Sequence, residues 1–145
     1  SGNTDNTSDN VNNTAEKVRN FGDKWIINLG GQELTLSSSP ESVKETPIEI
    51  NFSINDYNGK PLYIASDSDD IYYEIASNLG RYAEKTVYAC YGKCEKDLPE
   101  KNCTDNLIVW NKSGENRVYQ EDSCIFIDGD IRAVDTFLYR IFGVN

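Results

Sequence analysis

Short apolar runs separated by polar turns fill most of the chain, and their spacing predicts strands as well as helices. Trp25–Leu29 and Glu33–Leu36 are β-prone runs on either side of Gly30–Gly31, which predicts a hairpin. Residues 48–54 alternate isoleucine or phenylalanine with polar residues. That alternation predicts a strand with one buried face and with Asn51 on the exposed face.

Two segments carry helical spacing. Ser66–Asp70 (SDSDD) is rich in residues that favour an N-cap, so it predicts the start of a helix that ends near Lys85. Asp128–Gly129–Asp130 predicts the cap of a second helix, which stops at Gly143. Apolar residues at helical spacing define the stripe of each helix. They are Ile71, Tyr72, Ile75, Ala76, Leu79, Tyr82 and Ala83 in the first, and Ile131, Val134, Leu138, Ile141 and Phe142 in the second.

The remaining apolar runs predict the strands of a sheet. Leu62–Ala65 precedes the first helix and Thr86–Tyr91 follows it. Leu107–Trp110 and Cys124–Ile127 are wholly apolar, which is typical of strands covered on both faces, and Arg117–Glu121 returns between them. The order of elements predicts an α/β fold, a single-domain sandwich with a central mixed β-sheet and two main helices.

The amino terminus differs in composition from the rest. Residues 1–20 are predicted to be a flexible polar tether, followed by a single α/β domain over residues 21–145. Ser1–Asn13 is too polar to offset its ordering entropy. It resembles the polar tail that follows the lipid-modified cysteine of secreted lipoproteins, which implies a lipid anchor, although an ordinary disordered terminus has the same composition. No basic and apolar leader opens the chain, which suggests a mature or trimmed form.

Charge and length narrow the classes of partner. The chain has 145 residues, a formal net charge of -10 and a pI near 4.4. This charge argues against nucleic acid and against anionic membrane surfaces as partners. No apolar run approaches the roughly 20 residues that span a bilayer, so no transmembrane segment is predicted.

Cysteines and sequons point to export. Four cysteines form an even set, which predicts a disulfide framework in an oxidising compartment. N-x-Ser/Thr sequons are acceptors for N-glycans if the chain is exported. They begin at Asn6, Asn12, Asn51, Asn102 and Asn111. The combination predicts an extracellular or cell-surface glycoprotein.

The positions of the cysteines favour one pairing. Cys90 and Cys94 are close enough to close a small loop, while Cys103 and Cys124 each adjoin an apolar strand. We therefore expect Cys90–Cys94 and Cys103–Cys124, with the crossed pairing Cys90–Cys103 and Cys94–Cys124 as the main rival. A four-cysteine zinc site lacks the usual paired knuckles, and a redox pair would depart from Cys-x-x-Cys spacing.

The chain has no histidine, which excludes Ser-His-Asp and Cys-His catalysis and histidine-based metal centres. The sequence still allows catalysis or ligand binding by carboxylate side chains. Asp128 and Asp130 are candidate ligand-binding residues because they follow a strand end, although a helix cap explains them as well. The SDSDD segment lacks the spacing of a calcium loop, and no glycine-rich phosphate loop appears, so no metal or cofactor is predicted.

Three stretches of the second half carry a resemblance: DLPEKNCTDNLIVW (97–110), NRVYQEDSCIFIDGD (116–130) and DTFLYRIFG (135–143). Together they resemble uncharacterised secreted or lipid-anchored surface proteins of archaea, over roughly Tyr88–Val144. The shared pattern is a Pro-x-x-x-Cys loop, a strand, a strand that begins with cysteine, and a closing aromatic helix. The resemblance implies an exported protein with disulfides and assigns no catalytic residue.

These observations predict a non-enzymatic extracellular or cell-surface domain that serves binding, assembly or envelope structure. Such a domain would bind a protein partner or assemble with itself. A lipoprotein and a filament subunit are two examples of this class. The alternative is an extracellular hydrolase or carbohydrate-active enzyme that uses Asp128 and Asp130. A concave pocket containing an acid of raised pKa would favour the enzyme. Capping of the last helix by both aspartates would disfavour it.

Overall fold

The computed structural model describes residues 17–144, and the chain divides into two compact units on either side of the Ser39–Pro40 bond. The smaller unit contains an antiparallel three-stranded sheet of β1 (Lys17–Phe21), β2 (Lys24–Leu29) and β3 (Gln32–Leu36). Gly30 and Gly31 join β2 to β3 with φ values of 52° and 101°, which two-residue hairpin turns require. The predicted hairpin is confirmed.

The larger unit carries the mixed sheet and the helices. Its strands are β4 (Ile48–Glu49), β5 (Pro61–Ala65), β6 (Lys85–Tyr88), β7 (Cys90–Tyr91), β8 (Glu100–Lys101), β9 (Leu107–Asn111), β10 (Arg117–Glu121) and β11 (Cys124–Asp128). Its helices are α1 (Asp69–Leu79) and α2 (Ile131–Ile141), with short 3-10 turns at Glu41–Val43 and Ile54–Asp56.

Six strands form one sheet in the order β4-β10-β11-β9-β5-β6. The strands β9, β5, β6 and β11 run parallel, and β10 is antiparallel to β11. The two strands that contain the wholly apolar runs, β9 and β11, lie side by side in the middle, with Leu107 opposite Cys124. The structure thus confirms a mixed sheet with two helices, and the apolar runs mark its central strands because those strands are covered on both faces.

Successive side chains of each strand point to opposite faces of the sheet. Leu107, Val109, Cys124 and Phe126 share one face, where they form a buried cluster with Ala89. Tyr63, Ala65, Cys103 and Tyr119 pack against that cluster. The helices contact each other, and α2 contacts β10 and β11.

The strand predicted over residues 48–54 is wrong in extent, since only Ile48–Glu49 pairs with β10. Beyond it, the Asn51 N–H donates to the Gln120 side chain (2.8 Å), and the Ser53 N–H donates to the Asp56 carboxylate (2.8 Å). These bonds replace the ladder and turn the chain into a 3-10 helix. The predicted alternation of exposure is nevertheless present, with Asn51 exposed.

The first helix ends at Leu79, not near Lys85 as predicted. Backbone groups after Gly80 bond to the turn that precedes β5: Gly59 N–H donates to Tyr82 O, and Glu84 N–H donates to Lys60 O, both at 2.8 Å. Because these partners are distant in sequence, helical spacing alone could not reveal them.

The second helix has the predicted ends. Asp130 is its N-cap residue, and Gly143 follows the last turn with a φ of 77°. Val144 N–H then donates to Tyr139 O at 2.8 Å, which satisfies one of the final carbonyls.

The tether predicted over residues 1–20 lies outside the described residues as far as residue 16. Residues 17–20 belong to β1. Their pairing with β2 gives a polar segment backbone hydrogen bonds that composition does not report. The single α/β domain was predicted to begin at residue 21, whereas the α/β unit of the structure begins at Pro40.

Candidate functional site

Asp130 caps the start of α2. Its carboxylate accepts from the Arg132 backbone N–H (2.9 Å) and forms an ion pair with the Arg132 guanidinium (2.9 Å). These hydrogen bonds from Arg132 hold the pKa of Asp130 below its ordinary value, against a smaller opposing effect of burial. A carboxyl group with a lowered pKa is a poor general acid, so Asp130 has the properties of a helix cap.

The turn around Asp130 is fixed by side chains from two neighbouring segments. Asn116 accepts from the Asp130 N–H (2.8 Å), and the Gly129 N–H donates to Asn111 O (2.9 Å). The Trp110 indole N–H donates to Gly129 O at 3.1 Å. These bonds hold the connection between β11 and α2 in place.

Asp128 has different neighbours. It ends β11, is half-buried, and lies opposite Arg117 on β10 and Asn111 on β9. Its charge adds to burial in raising the pKa of Tyr119. The two aspartates that were predicted together as ligand-binding candidates therefore have separate surroundings, and a ligand role for them stays a prediction.

Both predicted disulfides are present. Cys90 pairs with Cys94 (Cα–Cα 6.2 Å) and Cys103 pairs with Cys124 (Cα–Cα 4.8 Å), which leaves no free cysteine. The crossed pairing, the zinc site and the free dithiol are thus excluded in this structure. Cys103–Cys124 attaches the preceding loop to the first residue of β11, where Ser123 N–H also donates to Cys103 O (3.0 Å).

The loop between these cysteines contains a small parallel ribbon of β7 and β8. Cys90 N–H donates to Pro99 O (2.9 Å), and Gly92 N–H donates to Lys101 O (2.8 Å). The Cys94 N–H donates to the Glu100 carboxylate at 3.1 Å. With a disulfide near each end, the ribbon holds Tyr91 and Lys101 in fixed positions beside the sheet.

Aromatic rings meet where this ribbon approaches the sheet. Tyr91 contacts Phe126 edge to face (centroids 5.3 Å apart), and Phe126 stacks on Tyr119 (5.1 Å). Arg117 lies over the Tyr119 ring at 4.1 Å, and Lys101 lies over the Tyr63 ring at 4.5 Å. We call this set the aromatic face: Tyr63, Tyr91, Lys101, Arg117, Tyr119 and Phe126.

The two cations of the aromatic face have no carboxylate partner within ion-pair distance among residues 17–144. Each is positioned by a tyrosine ring instead, which orients the cation and leaves its hydrogen-bond donors for another group. Tyr91 is 48% exposed beside them. The arrangement suits contact with a carboxylate-bearing partner.

The sequence patterns did not predict this surface. Tyr119 and Phe126 become neighbours through the β10–β11 register, and Tyr91 joins them through the cysteine-bearing loop. The one available signal was the disulfide pairing, which predicts that the loop returns to β11.

Three of the predicted glycan acceptors, Asn51, Asn102 and Asn111, are exposed. Asn6 and Asn12 lie outside the described residues. At Asn102, the side-chain oxygen accepts from the Thr104 N–H (3.0 Å) and hydroxyl (2.7 Å). These bonds use the side-chain oxygen of Asn102, whereas a sugar would be attached to its amide nitrogen.

Within the described part of the chain, no helix is long and apolar enough to cross a membrane. The same residues contain no group of three or more Cys, Asp or Glu side chains placed to hold a metal ion. Comparison with known proteins gives no match among protein-family models, curated proteins or solved structures.

Proposed function

We propose that this protein is a non-enzymatic extracellular or cell-surface domain that binds a protein partner through the aromatic face. The observation that carries the proposal is the placement of Arg117 and Lys101 over tyrosine rings, without an ion pair in residues 17–144, beside exposed Tyr91. Tyrosine and arginine are enriched among the residues that dominate binding at protein interfaces.

Two features support the proposed extracellular or cell-surface location. Both disulfides are of a kind that persists in oxidising compartments. The sequons at Asn51, Asn102 and Asn111 are exposed, so glycans there would not disturb the core. The proposal includes glycosylation and, at the amino terminus, a lipid anchor.

The partner is expected to present carboxylates. Arg117 offers a rigid, planar set of donors that matches a carboxylate, and Lys101 adds a second positive charge. A second copy of the chain satisfies this requirement, because its formal net charge is -10. Self-assembly into a filament or an envelope layer is therefore the first form of binding to test.

Assembly can be measured by sedimentation over a range of protein concentrations, at low and at high salt. We expect association that weakens as salt rises, since exposed charges are screened. Arg117→Gln and Tyr91→Ser should weaken association by about tenfold or more. Lys112→Gln and Tyr73→Ser are matched controls, because both residues are exposed and lie outside the aromatic face.

Intact-mass measurement of the native protein, with and without reduction, tests the location separately. A gain of four mass units on reduction, together with glycan mass at the sequons, would support export. Unmodified sequons in protein isolated from its source would argue against the glycoprotein.

The alternative of a hydrolase that uses Asp128 and Asp130 lacks a supporting observation. The pKa of Asp130 is lowered and its carboxylate is bound by Arg132, whereas a general acid needs a raised pKa.

A further inference from the structure

A cleft lies between the segment that precedes β4 and the end of α2. Its volume is about 210 Å³. Apolar walls come from Pro40, Val43, Ile48 and Val144, and polar groups come from Lys44, Thr46, Thr136, Tyr139 and Arg140. Pockets for drug-sized ligands usually measure roughly 300–1,000 Å³, so this cleft fits a smaller molecule.

The charge of the lining is positive. Lys44 and Arg140 are the only Lys, Arg, Asp or Glu residues of the lining. Tyr139 also lines the cleft, and burial, with nearby Asp135 and Glu74, raises the pKa of its phenol, which an ordinary tyrosine already keeps protonated at neutral pH. The lining thus contains two cations and no carboxylate, although the formal net charge of the chain is -10.

Both cations can reach a ligand. Arg140 is exposed and has no ion pair within residues 17–144. Lys44 pairs with Glu41 at 3.5 Å, but the side chains are 57% and 84% exposed, and such surface pairs exchange with solvent at little cost.

The end of α2 does not oppose an anion strongly. Its final carbonyls already accept hydrogen bonds from Phe142 (3.1 Å), Gly143 (3.1 Å) and Val144 (2.8 Å). Arg140, in the last turn, also offsets the negative end of the helix dipole.

We propose that this cleft binds a small organic monoanion, with its carboxylate between Lys44 and Arg140 and a short apolar tail against Val43 and Ile48. The site is independent of the aromatic face and of the proposed partner binding, because it shares no residue with them.

Butyrate and butyramide provide a matched pair of probes, since they have nearly the same shape and differ in charge. In an amide NMR titration at constant ionic strength, butyrate should shift resonances of the cleft, including those of Thr46, Thr136 and Arg140. Butyramide should bind about tenfold more weakly or not at all, because it lacks the charge-assisted hydrogen bonds. The same titration with inorganic phosphate distinguishes a carboxylate site with an apolar wall from a site that binds any anion.

Arg140→Gln should weaken butyrate binding about tenfold, and Lys44→Gln should do so to a similar or smaller extent. Lys112→Gln, on the turn between β9 and β10, should have no effect. Equal shifts with butyrate and butyramide would overturn the proposal, as would unchanged binding in both cleft variants. Binding of phosphate without binding of butyrate would refute the carboxylate class.

Discussion

Asn116 closes over Gly129 from the turn between β10 and β9, so that a Cβ at position 129 would lie 2.8 Å from the Asn116 Cα atom and closer still to its side-chain oxygen. Gly129 also has a φ of 127°, which side chains rarely adopt. The connection from β11 to α2 therefore depends on glycine for two separate reasons.

Gly129→Ala should destabilise the protein by about 2–4 kcal/mol, because backbone strain adds to the clash with Asn116. Urea denaturation monitored by tryptophan fluorescence would measure the loss. Gly114→Ala is the control, since no atom lies within 4 Å of a Cβ there, and it should change stability by less than about 0.5 kcal/mol. Equal effects of the two substitutions would contradict this account.

Asp130→Asn should cost roughly 0.5–1 kcal/mol at neutral pH, because asparagine can still cap α2 but cannot pair with Arg132. The pKa of Asp130 is lowered in the folded state, so its contribution is present above the ordinary carboxyl pKa and is lost as pH falls through the folded value. The difference in unfolding free energy between wild type and variant should therefore shrink as pH falls and vanish once the Asp130 carboxyl group is protonated in the folded state. A difference that persists in acid would show that the charge is not its source.

The disulfides and the central strands were predictable because local signals determine them. Leu107–Trp110 and Cys124–Ile127 are apolar without interruption, and burial on both faces of a central strand favours that composition. Cys103 and Cys124 adjoin those runs, so their pairing followed from adjacent strands.

Other features depend on contacts between distant residues, which periodicity does not report. The 48–54 segment leaves the sheet because Gln120 captures the Asn51 N–H, and α1 stops early because the 59–60 turn binds residues 82–84. The aromatic face requires strand register and loop closure together. No spacing in the sequence brings Tyr91 to Phe126.

Removal of Cys103–Cys124 should destabilise the protein more than removal of Cys90–Cys94. In the chain-entropy account, the first bond closes a separation of 21 residues and contributes about 3 kcal/mol, while the second closes only 4 and contributes about 2 kcal/mol. Cys124 is also fully buried, so its replacement by alanine loses packing as well.

Paired Cys→Ala substitutions followed by denaturation would measure both losses, and non-reducing peptide mapping would verify the bond that remains. A larger loss on removal of Cys90–Cys94 would mean that the ribbon with Tyr91 and Lys101 stabilises the fold more than the chain-entropy model allows.

Asn102→Gln should lower stability by about 0.5–1.5 kcal/mol even in unglycosylated protein, because glutamine cannot reproduce the short turn with Thr104. Asn111→Gln, at an exposed strand end, is the matched control and should be nearly neutral. Thermal denaturation of protein produced without glycans would compare them. Equal stability of the two variants would show that the Asn102 turn contributes nothing.

Two tyrosines provide the last test, because their hydroxyl groups have opposite surroundings. Tyr57 is fully buried, and its hydroxyl has no hydrogen-bond partner among the described residues. The Tyr88 hydroxyl, by contrast, donates to the Asp69 carboxylate at 2.5 Å. Burial raises the pKa of Tyr57, and the bond to Asp69 raises that of Tyr88.

Tyr57→Phe removes a buried polar group that gains nothing from folding, so it should raise the unfolding free energy by about 1 kcal/mol. Tyr88→Phe should lower it by about 0.5–1.5 kcal/mol, because a hydrogen bond to a charged group is lost while the stack on Tyr72 (centroids 3.7 Å apart) is retained. Urea denaturation at neutral pH measures both changes. Destabilisation by Tyr57→Phe would show that the hydroxyl has a hydrogen-bond partner in the folded protein, such as a buried water.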